Sequence, residues 1–159
     1  MLIALEITQQ QPVAGGATFG EAGTYEQLNG RVTFAVDPAA PLNAVIADLA
    51  YAPCDEDGRV RCTADWWLLR PADSSRANGT LLYNVVNRGN QNALAAFNRA
   101  TRGNPPGEAA DPGDGFLLRR GVTLAAAGWQ ATSARARAAC SLMLRSRARW
   151  ESRSAARCG

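Results

Sequence analysis

Histidine and lysine are both absent from the 159 residues. Without histidine there is no imidazole to act as general base or to bind a metal, and acyl transfer by a Ser-His-acid triad is excluded for this chain. Without lysine, Gly15, Gly16 and Gly20 cannot belong to a phosphate-cradling P-loop, and their spacing does not fit G-x-G-x-x-G either. The four cysteines, Cys54, Cys62, Cys140 and Cys158, include no C-x-x-C pair, so a structural zinc is not expected. No run of about 18 apolar residues occurs, so no membrane-spanning helix is expected. Met1 to Ile7 is a short apolar stretch without a signal-peptide pattern, so no compartment is identified.

What is present is arginine, and it is unevenly placed. Residues 1–130 carry 10 Arg against 13 Asp and Glu, a net −3, whereas residues 131–159 carry 7 Arg against Glu151, a net +6. The sum is the overall +3, and the basic balance belongs to the last segment. That segment is rich in Ala, Arg and Ser. Two accounts fit it: a basic helix with Ala138, Ala139, Leu142, Met143 and Trp150 loosely on one side, or GC-rich DNA read out of frame. The second is favoured, because a strand at Val122 to Ala127 would otherwise be left as a sheet edge with nothing built after it.

The first 130 residues fall into two patterns, a β-rich part over 1–70 and a strand–helix–strand part over 71–130. Leu2 to Ile7 reads as a strand, and the glycine-rich stretch from Gln11 to Gly23 reads as a loop. Asn29-Gly30 is a tight-turn signal leading into Arg31 to Val36, where Val32, Phe34 and Val36 alternate as in a half-buried strand. A further run at Asn43 to Ala50 precedes the Asp57-Gly58 turn and a long strand over Arg59 to Leu69. Trp66 and Trp67 read as core and rim of that strand in preference to a ligand platform. After Pro71, Thr80 to Val86 is a strand and Ala93 to Ala100 a short helix. Phe116 to Arg120 is a second short helix, with Asp114 as cap and Gly121 ending it. Val122 to Ala127 is then a buried strand. The order strand, helix, strand predicts that Thr80 to Val86 and Val122 to Ala127 run parallel.

Three local features have two readings each. Cys54 and Cys62 flank Asp55-Glu56-Asp57-Gly58; facing each other across a hairpin they would form a disulfide in an exported protein, while two thiols are the default. The acidic turn itself reads as a solvated tip before a calcium loop. Asn78-Gly79-Thr80 fits a glycosylation acceptor, and a plain turn explains it equally.

Several stretches together resemble the N-terminal half of a bacterial family of α/β-hydrolase domain-containing proteins. They are Phe19-Gly20 with Gly23 and Tyr25; Asp37-Pro38 with Asn43; Leu68 to Pro71; Asn87-Arg88-Gly89-Asn90; and Asp111 to Phe116 followed by Arg119-Arg120-Gly121 and Gly128-Trp129. The resemblance covers residues 19–130 and stops where the composition changes. It implies an α/β fold in which a β-rich N-terminal section leads into the first strands of a hydrolase-type sheet, left incomplete here. Thr80 to Val86 would be the third strand of that sheet. Asn87, Arg88 and Gly89 would then stand at the loop that offers a backbone N–H to the oxyanion, Gly89 permitting the positive φ this needs. Gly89 as a simple strand-to-helix turn is the competing reading.

The resemblance further implies ester-type acyl hydrolysis on a small-molecule substrate in a full-length relative, with no cofactor and no nucleic-acid or membrane partner; export of such a relative is compatible with it. In this chain the serines are Ser74, Ser75, Ser133, Ser141, Ser146, Ser152 and Ser154, none within G-x-S-x-G. The expectation is a truncated or frame-shifted relative, inactive as it stands and poorly soluble through its uncovered strands. The rival expectation is a small β-rich binding module whose basic arm, 131–159, touches nucleic acid or an anionic surface in a salt-dependent way.

Overall fold

The computed structural model describes residues 1–86, 91–101 and 108–128. The segment 131–159, with both accounts of it, lies outside the described residues. Five strands form one mixed sheet: β1 (Leu2–Pro12), β2 (Tyr25–Val36), β3 (Val60–Pro71), β4 (Leu81–Tyr83) and β5 (Thr123–Ala127), in the spatial order β1-β2-β3-β5-β4. The first three pair antiparallel in sequence order and β3 pairs antiparallel with β5. β4 and β5 run parallel, as the strand–helix–strand order predicts. Between them the chain passes through α1 (Ala93–Asn98) and a 3-10 turn at Leu118–Arg120. The fold is therefore β-rich, with a small strand–helix–strand addition.

Three sequence expectations are corrected. Asn29-Gly30 is no turn; both residues lie inside β2, paired on one side with Gln9 and Ile7 and on the other with Trp67 and Trp66. Gly30 is there for close approach. A Cβ at that position would overlap the Glu6 carbonyl oxygen and lie 2.6 Å from the Trp66 indole, whose Nε1 donates to the Glu6 oxygen at 3.1 Å. The Asn43 to Ala50 run is not extended; it is part of an excursion with 3-10 turns at Pro41–Asn43 and Leu49–Tyr51, where Pro41 starts a turn and Leu42 and Val45 face solvent. Finally, β5 is not a sheet edge. It is inserted between β3 and β4, so the edges among the described residues are β1 and β4.

The loop ahead of β5 agrees with the sequence only in part: the expected helix from Phe116 is a 3-10 turn over Leu118–Arg120 with Leu117 at its N-cap, and Asp114 forms a turn ahead of it. Asp114 Oδ1 accepts the Phe116 N–H at 2.9 Å, and Gly121 takes φ +70° to end the 3-10 turn, the left-handed geometry a C-terminal glycine supplies.

The register assigns the faces. Tyr25, Leu69, Trp67, Leu124 and Ala126 share one face with α1, whose Ala93 and Leu94 join them in a single core with Val13, Leu117, Leu118 and Val122. The opposite face carries Leu5, Ile7, Leu81 and Tyr83, all exposed. This is apolar surface of the kind that lowers solubility in an isolated domain.

Tyr25 anchors the core face. It is buried, stands edge-to-face with Phe19 at 5.7 Å, and its hydroxyl donates to the Val122 carbonyl at 3.1 Å. Burial raises its pKa from 10.0 to about 12. Because the folded pKa is raised, this contribution is complete below pH 10 and is lost as the pH climbs through 12, about 2–3 kcal/mol in all. Tyr25→Phe is expected to flatten the decline of urea stability over that alkaline window; an unchanged decline in the variant would assign it to other groups.

Candidate functional site

Polar side chains gather on the core face near the carboxyl ends of β4 and β5. In open sheets that contain parallel strands, ligands bind outside the carboxyl ends. One cross-sheet row there runs through four strands. Gln9 pairs with Asn29, Asn29 with Trp67, and Trp67 with Ala126. On the far side, Leu82 pairs with Leu124 and Tyr83 with Ala125, so the next residue, Asn84, falls beside Ala126; its N–H donates to the Ala125 carbonyl at 2.7 Å. Between the Trp67 indole and Asn84 stands only an alanine.

One half of this row is satisfied. Asn29 Nδ2 donates to Gln9 Oε1 at 3.1 Å and Gln27 Nε2 donates to Asn29 Oδ1 at 3.3 Å. Gln27, itself buried, also donates to the Glu108 carbonyl at 2.8 Å and accepts the Ala110 N–H at 2.7 Å. The amides thus hold the 108–110 loop on the sheet.

The other half is not. Trp67 Nε1, Asn84 Nδ2 and Gln91 Oε1 are buried and have no hydrogen-bond partner among the described residues. A buried polar group left unpaired costs about 1–3 kcal/mol, and a buried indole N–H usually finds a partner. Trp67 and Asn84 belong to the row on either side of Ala126, whereas Gln91 lies outside the sheet, just ahead of α1. The three atoms comprise two donors and one acceptor, all uncharged. The next row outward on this face carries Glu6, Arg31 and Asp65 in register, net negative.

Of the sequence-derived candidates, Asn87, Arg88 and Gly89 lie outside the described residues. Val86 and Gln91, which flank them, are both buried. Cys62 stands opposite Phe34 in the β2–β3 register, and Cys54 precedes the turn, its Sγ 3.7 Å from the Ala52 carbonyl oxygen. That turn is closed by Asp55, whose carboxylate accepts the Asp57 and Arg59 N–H groups and pairs with Arg61 at 2.5 Å. The Arg59 N–H and the Arg61 guanidinium hold the Asp55 carboxyl below its usual range. A carboxylate so engaged is a turn-former, and no group of three metal-ligating residues exists among the described residues.

Asn78 likewise builds a turn, accepting the Thr80 N–H at 2.8 Å. Ser75 donates its hydroxyl to the Asp73 carboxylate two residues before it, closing a local turn. Trp67 is core and Trp66 rim, as expected.

Sequence reasoning missed Asn84, Gln91 and the Gln27–Asn29 pair. The available signal was amides two apart, Gln9 with Gln11 and Gln27 with Asn29, on facing strands. No family model, curated protein or solved structure matches this chain.

Proposed function

We propose that residues 1–130 are the opening section of an α/β-hydrolase-like domain of the esterase type, and that the chain does not hydrolyse esters by itself. The observation that carries this reading is the change of sheet type. Three antiparallel strands give way to a parallel pair, β4 and β5, joined through a helix. A β-rich lead-in followed by a parallel strand pair with a helix between them in sequence is the order of parts the resemblance implies.

Inactivity rests on chemistry alone. With no histidine and no serine elbow in the sequence, neither nucleophile nor base is available, and residual catalysis by binding and an oxyanion donor is small. The full chain is expected to cleave p-nitrophenyl acetate no faster than an equal concentration of free arginine and buffer. Saturable turnover above that blank would overturn the inactivity. The family assignment is tested separately, by reading the coding DNA past codon 130 in all three frames. A second frame encoding G-x-S-x-G and later a histidine is the expected result; its absence counts against both the frame shift and the family.

A further inference from the structure

We propose that the chain associates with a second copy of itself through the outer edge of β1, the two strands pairing antiparallel about a two-fold axis at Leu5. Nothing in this rests on the hydrolase-like reading. Among the described residues β1 is paired on one side only, with β2. It is also the long edge of the sheet, with 11 residues against 3 in β4. A strand edge presents a row of unpaired N–H and C=O groups, and natural proteins blunt it with lysines, prolines, inward charges or bulges. From Leu2 to Ile7 there is no lysine or proline, and Glu6 is the one charged side chain.

The strand divides into two halves. In the second, the glutamines are tied to β2: Asn29 donates to Gln9 at 3.1 Å, Gln10 donates to Glu26 at 2.5 Å, and Gln11 donates to Gln27 at 3.4 Å. In the first, Leu5 and Ile7 stay 61% and 60% exposed although both are paired in the sheet. Register shifts between Leu2 and Ala4 and between Ile7 and Gln9 place bulges at Ile3 and Thr8. They shorten the template and leave a regular stretch from Ala4 to Ile7 between them.

Symmetry and charge select the partner and the register. About a two-fold axis a strand meets its own reverse, so its sequence has to complement itself, and opposed residues lie on the same face of the sheet. Leu5 and Ile7, paired with Val32 and Gly30, point to one face, and Glu6, paired with Arg31, to the other. An axis at Glu6 would set two carboxylates directly against each other, which is destabilising. An axis at Ile7 would set Leu5 against Gln9 of the second copy. With the axis at Leu5, that leucine meets its own copy, Ile7 comes beside Ile3 of the second copy, and each Glu6 faces an Ala4. Apolar then meets apolar and the acids stand apart. So short a pairing falls below the roughly 20–30 residues a side of a standard interface, so the dimer is weak and forms as concentration rises.

Hydrogen exchange of the unaltered chain over a concentration series is the first test, and it stands even where a variant fails to fold. Amides of Ala4 to Ile7 that point away from β2 are expected to gain protection with concentration, in step with a monomer–dimer transition in sedimentation, while those of Leu81 to Tyr83 do not. Leu5→Cys is expected to oxidise to a cross-linked dimer, because opposed residues of antiparallel strands have Cα atoms about 4.5–5.5 Å apart, within disulfide reach. Cleavage after arginine would recover residues 1–31 joined to a second 1–31, a peptide with no cysteine of its own in the parent. Leu5→Lys is expected to weaken the dimer about tenfold or more, and Ala4→Lys to strengthen it roughly two- to tenfold through two new pairs with Glu6. A chain still monomeric at about 1 mM, or edge amides indifferent to concentration, would overturn the pairing. So would a dimer weakened by Leu81→Lys and not by Leu5→Lys, which would mean packing of the open sheet faces. Cross-linking by Ile7→Cys and not by Leu5→Cys would overturn the register.

Discussion

Gly30→Ala is expected to destabilise the sheet by about 3–5 kcal/mol, the upper end of what overpacking and a lost hydrogen bond produce together. The new methyl group would meet two obstacles. The Glu6 carbonyl oxygen overlaps it, and the Trp66 ring lies 2.6 Å away. Neither yields cheaply, because Glu6 is held in the β1–β2 ladder and Trp66 donates its Nε1 to that same oxygen. The indole lies over the glycine as a lid, filling the hole a missing side chain leaves and tying β3 to β1 across β2. Displacing it would remove the hydrogen bond and separate three strands at once.

The check is the urea midpoint of Gly30→Ala against that of Gly79→Ala. Gly79 has φ +79° with nothing near its Cβ position, so alanine there adds backbone strain of about 1 kcal/mol without a clash. If Gly30→Ala were no more costly than Gly79→Ala, the close approach of β1, Gly30 and Trp66 would be wrong.

The same glycine shows why part of the fold was hidden in the sequence. Asn-Gly between apolar alternations is a strong local turn signal, but the reason for Gly30 is a contact with residues 24 and 36 positions away along the chain. Local pattern cannot carry that information. Nor does alternation report the faces of β2, since Leu28 and Val32 on one face and Tyr25, Gln27 and Asn29 on the other are all buried. A strand covered on both sides loses its period-two signature. Conversely, the parallel relation of β4 and β5 was legible, because a strand, a helix and a capped turn ending at Gly121 occur in sequence before β5 and leave one sensible crossover. The insertion of β5 between β3 and β4 was not, because strand order depends on which edge the returning chain reaches. The polar row was missed for the same reason. Asn29 and Trp67 are distant in sequence and meet through the β2–β3 pairing, and Asn84 joins that row only through β5.

Asn98→Leu is expected to cost about 2–4 kcal/mol, because it leaves the buried Leu117 N–H without its acceptor and removes one of the two donors to the Pro112 carbonyl, the other being the Gly115 N–H, at the point where α1 meets the loop before β5. Asn98 is completely buried at the end of α1. Its Nδ2 donates to the Pro112 carbonyl at 3.0 Å, its Oδ1 accepts the Leu117 N–H at 3.0 Å, and its own carbonyl accepts the Asp114 N–H at 2.6 Å. Gly113, with φ +54°, allows the loop to close on this carbonyl, where a Cβ would collide with it. One amide side chain therefore fixes the path of residues 112–117, which in turn places Leu117, Leu118 and Val122 in the core. Leucine keeps the branched skeleton and supplies neither bond.

Asn98→Asp separates hydrogen bonding from shape. A protonated carboxyl keeps an acceptor for the Leu117 N–H and an O–H donor for Pro112, whereas a carboxylate keeps only the acceptor and adds a buried charge. Burial would raise the folded pKa of this aspartate above its unfolded value of about 3.9, so its stabilising form is complete below that pH and is lost as the pH rises through the folded pKa. The variant is thus expected to approach the parent in urea stability near pH 3 and to fall toward Asn98→Leu at neutral pH. Parallel curves for the two variants at every pH would mean that the amide holds the loop by its shape, and that the pair of hydrogen bonds to Pro112 and Leu117 is not what secures β5 to the helix.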